Sequence, residues 1–170
     1  MREINMISDR ILKQLLAADE LPTEAARPAH EKVRDGVDHT TRPVLMERAT
    51  YLKQAAGAGE GSASEILKEY PRHNIQLSVR LRSGGAEFHE HFADLFFVLD
   101  GKATLITGGT IVSPQSVGPG EIRGTMVADG ARQQLRAGDV AHVAAGTPHQ
   151  ILLAGDATFT AMVIKIKESD

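Results

Sequence analysis

His89-Glu90-His91-Phe92-Ala93-Asp94-Leu95-Phe96-Phe97-Val98-Leu99-Asp100-Gly101 is the stretch on which the fold turns. Residues two apart on a strand point the same way, so His89 and His91 are expected to project from one face with both imidazoles able to reach a common point. That is a metal pincer. Asp94 has the opposite parity, and joins them only if the chain turns near Phe92-Ala93 and re-enters as a new strand. The parity of Asp94, Phe96 and Val98 then lines the same interior.

Turn signals follow every few residues: Asp100-Gly101, Gly108-Gly109, Gly118-Pro119-Gly120, Asp129-Gly130, Gly138-Asp139, Gly146-Thr147-Pro148 and Gly155-Asp156. Between them lie apolar or β-branched runs at 95–99, 103–107, 122–127, 140–143, 150–153 and 158–166. Short strands at that spacing predict an all-β sandwich or barrel. Upstream, Ile75-Gln76-Leu77-Ser78-Val79-Arg80-Leu81-Arg82 alternates strictly, the period of a half-buried strand. No motif occurs twice, which excludes a two-barrel chain.

With the acid at Asp94 and a glycine seven positions later at Gly101, the first stretch resembles the first motif of the cupin superfamily. Gly138-Asp139 followed by Gly146-Thr147-Pro148-His149 resembles the second, with the same spacing from glycine to histidine. The resemblance covers about residues 75 to 166. It implies a double-stranded β-helix barrel in which His89, His91, Asp94 and His149 occupy the places of four metal ligands. Asp94 stands where the family usually has glutamate, Ala144 where proline is usual, and Leu153 where asparagine is common.

Three neutral imidazoles and a carboxylate suit a divalent transition metal such as Fe, Mn, Ni, Zn or Cu, and leave coordination positions open for a small-molecule ligand. Such a centre fits an isomerase, lyase or dioxygenase acting on a small polar molecule. A non-enzymatic binding or sensing module would use the same barrel. His142, in the strand before the second motif, is the candidate acid or base. Arg80 and Arg82 share a strand face and could hold a substrate carboxylate. The connection from Ser113 to Arg123, with two prolines and glycines, is long enough to cover a barrel mouth.

Toward the amino terminus, Ile7, Ile11, Leu12, Leu15 and Leu16 recur at helical spacing, and Asp19 to Pro43 reads as an extended arm. Ala55 to Ala63, rich in glycine and alanine, reads as a flexible loop. The expected division is a helix and arm over 1–45 and a barrel over 46–170. His30 and His39 fall in the arm and are read as solvated.

The 170 residues suit one domain, and a net charge of -3 offers no footprint for nucleic acid. Without cysteine, any metal must take nitrogen and oxygen ligands. No apolar run is long enough for a membrane span, and charges break up any signal-like start. The sequence therefore predicts a cytoplasmic protein, and the apolar helix beside an arm predicts a homodimer.

Overall fold

The computed structural model describes residues 36–168, so the helix expected at 7–16 and most of the arm lie outside the described residues. Helix α1 (Arg42–Ala58) precedes twelve strands. These are β1 (Ser62–Glu69), β2 (His73–Arg80), β3 (Ala86–His89), β4 (Phe92–Thr107), β5 (Thr110–Val112), β6 (Gln115–Gly118), β7 (Glu121–Gly124), β8 (Met126–Ala128), β9 (Ala131–Arg136), β10 (Val140–Val143), β11 (His149–Leu152) and β12 (Phe159–Lys167). All but β5 and β8 join one ten-stranded sheet, ordered β1-β2-β12-β4-β11-β3-β7-β6, with β9 and β10 also paired to β4. The sheet curls on itself as a half-barrel, the all-β double-stranded β-helix that the two motifs imply. Among the described residues no helix is long and apolar enough to cross a membrane.

Helix α1 corrects two expectations, the end of an arm at Pro43 and a flexible loop at 55–63. Pro43 sits in the first turn, where its missing N–H costs nothing. Leu45, Ala49, Leu52 and Ala56 then fall at helical spacing. Ala49 and Leu52 pack with Leu77 and Val79 of β2, so the apolar face of the alternating strand is covered by this helix. Burying those two strand side chains contributes roughly 1.5–3 kcal/mol each. Arg48, itself buried, anchors the helix to Glu65 of β1 through Nε at 3.1 Å. Gly59 at the C-cap and Gly61, with a φ of 88°, end it.

Asp100-Gly101 is not a chain reversal. β4 runs unbroken through it for 16 residues, pairing with β12 and β10 before the glycine and with β9 and β11 after it. Gly101 has a φ of 80°, and a side chain there would collide with the Thr158 carbonyl. The strand bends at this point, so its two halves form facing walls. Between them packs the core: Phe96, Val98, Ala103, Leu105, Leu135, Val143, Ile151, Phe159, Ala161 and Val163. Strand β12 lies in the middle of the sheet, between β2 and β4. The connection at 113–123 is a hairpin of β6 and β7, with β7 paired to β3.

Candidate metal centre

At the end of the barrel away from Gly101, three cross-strand pairs bring polar side chains together. Glu87 of β3 is directly opposite His149 of β11, His89 is opposite Glu121 of β7, and Asp94 of β4 is opposite Lys165 of β12. Directly opposed residues share a sheet face, so each strand pairing delivers two side chains to one place. His89, Asp94 and His149 are buried. Their contacts are close: His149 Nε2 lies 3.3 Å from Asp94 Oδ2, and His89 Nε2 lies 3.6 Å from the same atom and 3.6 Å from Glu87 Oε2. The two motifs are tied together by the Gly146 N–H donating to the His89 carbonyl at 2.7 Å.

The imidazole protons can be placed from their partners. Nδ1 of His89 is 2.6 Å from Glu121 Oε2, and Nδ1 of His149 is 3.1 Å from the Thr147 carbonyl. Carboxylate and carbonyl oxygens only accept, so each Nδ1 carries the hydrogen. Both Nε2 atoms are therefore turned inward, toward Asp94 and Glu87. Nδ1–H on an oxygen acceptor with Nε2 turned into the site is the arrangement that orients a metal-binding histidine. Glu87, His89 and His149 each offer a ligand atom within 4.8 Å of the others, a group that could hold a metal ion.

This cluster has a strong appetite for positive charge. Burial alone would raise Asp94, but hydrogen bonds from His149 and His89 and the charge of Lys165 hold it well below the usual carboxylate range. Glu87 resists the same burial through His89, Arg80 and Arg123 and falls to about 2. For His89, burial opposes the charged ring, yet Asp94 and Glu87 outweigh it, against the charge of Lys165, and its pKa rises to about 9. Lys165 already meets part of this field, with Nζ 2.7 Å from Asp94 Oδ1 and 2.9 Å from His89 Nε2. A ring proton, the lysine ammonium and a metal ion are three ways of satisfying the same acceptors.

Of the four ligands expected from the sequence, the structure brings together His89, Asp94 and His149. The turn expected near Phe92-Ala93 falls earlier, at Glu90-His91, so the strand ends at His89 and restarts at Phe92. This rotates Asp94 inward. It also leaves His91 on the bend, about a third exposed, with Nε2 3.9 Å from Glu90 Oε2 and its ring edge against Gly120. His91 is outside the group of Glu87, His89 and His149. His142 also stands apart. It is opposite Leu95, whose parity is the reverse of Asp94, and its half-exposed ring lies 3.8 Å from Glu168. It borders a cavity of about 410 Å³ beside β9 and β10, which none of Glu87, His89, Asp94 or His149 lines.

Three side chains of this cluster were missed. Glu87 is two residues before His89 on the same strand, so parity places both on one face. Glu121 and Lys165 carry no local signal, because only the register of β7 on β3 and of β12 on β4 places them. Arg80 is not a surface charge: it donates to Glu87 at 2.9 Å. Arg82 is exposed.

No family model matches the chain, and no curated protein matches it. Solved structures do. A cupin superfamily protein from Desulfitobacterium hafniense is 16% identical over 82% of this chain and 99% of its own, with a TM-score of 0.48. A conserved protein with a double-stranded β-helix domain from Klebsiella pneumoniae is 16% identical over 64% of this chain and 78% of its own, with a TM-score of 0.47. A predicted oxalate decarboxylase from Thermotoga maritima is 13% identical over 62% and 80%, with a TM-score of 0.46.

Proposed function

We propose that this chain is a metal-dependent, cupin-type protein in which Glu87, His89, Asp94 and His149 hold a divalent transition metal for work on a small polar organic molecule. The observation that carries this reading is the inward turn of two imidazole Nε2 atoms onto two carboxylates, with both Nδ1 atoms engaged on the outside. Two carboxylates and two ring nitrogens gathered in one buried site call for shared positive charge, which a metal ion supplies as well as a proton or an ammonium does. Two nitrogens and two oxygens suit Fe, Mn, Ni, Zn or Cu. Once bound, such an ion supplies Lewis acidity at a carbonyl or hydroxyl oxygen, the chemistry shared by isomerases, lyases and dioxygenases.

The remaining residues prepare that centre. Glu121 fixes the tautomer and tilt of His89, and the Thr147 carbonyl does the same for His149. Arg80, reaching Glu87 Oε1 at 2.9 Å, leaves Oε2 turned to His89. Lys165 places Nζ beside Asp94 and His89. His142 has no part in this assignment.

A second reading is favoured by one observation, the Lys165 ammonium on Asp94 and His89. In it the lysine is the permanent cation, and the barrel is a non-enzymatic module that captures a small molecule. Elemental analysis of the purified chain after metal loading separates the two. Stoichiometric metal in wild type, lost in folded His89→Ala and His149→Ala, supports the first reading. Metal-free wild type after loading overturns it. Oxygen consumption across a panel of small hydroxy and keto acids then tells an oxygenase from the non-redox alternatives.

A further inference from the structure

The amine of Lys165 stands on two of the atoms that the proposed centre needs. Its Nζ is 2.7 Å from Asp94 Oδ1 and 2.9 Å from His89 Nε2. An ammonium has three protons and nothing to accept with, so at 2.9 Å from His89 Nε2 it stands where an ion bound to that nitrogen would stand. A lone pair holds one partner. An ion bound through His89 Nε2 and an N–H donor on the same nitrogen exclude each other, and their charges repel at that separation.

We propose that Lys165 is a tethered cation that competes with the metal for His89 and Asp94 and thereby sets the metal affinity of the centre. The inference rests on the metal reading above. Three features of the fold argue for competition over plain support. The first is position: Lys165 and Asp94 are direct cross-strand partners, so the amine reaches the site along the edge of the pair and not through the core. The second is access, because the Lys165 side chain is 22% exposed while that of Asp94 is 4% exposed, so the amine has a path to water on its four-carbon stem. The third is the surrounding charge. Arg80 and Arg123 lie against Glu87 and Glu121, which leaves Lys165 as the cation held on Asp94 among the described residues. When the ion enters, Lys165 withdraws from Nε2 toward the rim and remains near, held by the strand that carries it.

A purely structural ion pair makes the opposite forecast, since deleting it would loosen the site and weaken metal binding. The test therefore measures affinity, not activity. Chelator-stripped full-length wild type, Lys165→Met and Lys165→Gln are titrated with Zn(II) alone and with Mn(II) alone against a competing fluorescent chelator. Both variants are expected to bind on the order of tenfold more tightly or better, since each removes a positive charge a few ångströms from the ion. In wild type, zinc is expected to speed modification of Lys165 by an amine-specific reagent, read by peptide mass spectrometry. Equal or weaker binding by the variants overturns the inference while leaving the metal reading intact, and so does unchanged Lys165 labelling. Failure of all three proteins to bind either ion removes the metal reading and this inference together. If Lys165→Met does not fold, the glutamine variant and the labelling of wild type decide the matter.

Discussion

Three strands of the barrel each give one side chain to the polar cluster and, two residues along on the same face, one to the apolar core. They are Asp94 and Phe96 on β4, His149 and Ile151 on β11, and Lys165 and Val163 on β12. The backbone is the same in both layers, and only the side chains differ. In the apolar layer contact is non-directional, and buried surface is what counts. In the polar layer every contact has a donor, an acceptor and a sign, so a shift of about an ångström changes its meaning. The difference teaches that the lower layer holds the strands in place and the upper layer uses that placement. The rings of Phe96 and His149 meet edge-on at 6.5 Å between centroids, which joins one layer to the other.

The most severe way to break this pairing is Phe96→Ala. Truncating a buried aromatic is expected to cost about 3–5 kcal/mol of unfolding free energy, measured by urea titration of the metal-free protein. It should also weaken metal binding, because His149 loses its packed edge. Unchanged metal affinity in a folded Phe96→Ala protein would show that the layers are independent.

Next in size is Glu121→Gln, which keeps the shape but loses the charge on His89 Nδ1. Metal affinity is expected to fall by roughly 10- to 100-fold while thermal stability barely moves. A large loss of melting temperature with no change in affinity would reassign Glu121 to the scaffold.

The layers should also separate on titration. His89 has its pKa raised from 6.5 to about 9, so the proton stabilises the metal-free fold fully below pH 6.5, and that stability is lost as pH rises through about 9. The expected loss is roughly 1–3 kcal/mol, absent in His89→Gln. Metal affinity should move the other way over the same interval, since the proton must leave before the ion can bind. Two curves with the same sign would refute this. The smallest effect is expected for His142→Ala, within about 0.5 kcal/mol in stability and without change in metal affinity, as fits an exposed ring outside both layers.

The apolar layer was largely legible in the sequence, because alternation in 75–82, 94–98 and 159–163 states which residues face inward. The inward turn of Asp94 and the arrival of His149 followed from motif spacing. What the sequence could not show was where a strand stops. Glu87, His89 and His91 share one parity, so ending β3 at His89 takes His91 off the strand face and leaves Glu87 on it, and a two-residue difference changes which side chains meet. Glu121 and Lys165 were hidden for another reason: they are 32 and 71 residues from the groups they touch, and strand register carries no local mark. Helix α1 was obscured by Pro43 at its start and the glycines at 57, 59 and 61 around its end, which look like a linker until Leu45, Ala49, Leu52 and Ala56 are counted together. Gly101 showed the converse, a turn residue that bends a strand without ending it.

Because β12 is inserted between β2 and β4, the middle of the sheet is also its latest-synthesised part. While the ribosome is still making the chain, β2 and β4 have no shared neighbour, and their ladder groups and apolar faces wait in water. The barrel and its polar cluster can close only after residue 167 has cleared the exit tunnel, so a nascent chain stalled before β12 is a natural client for a holdase chaperone.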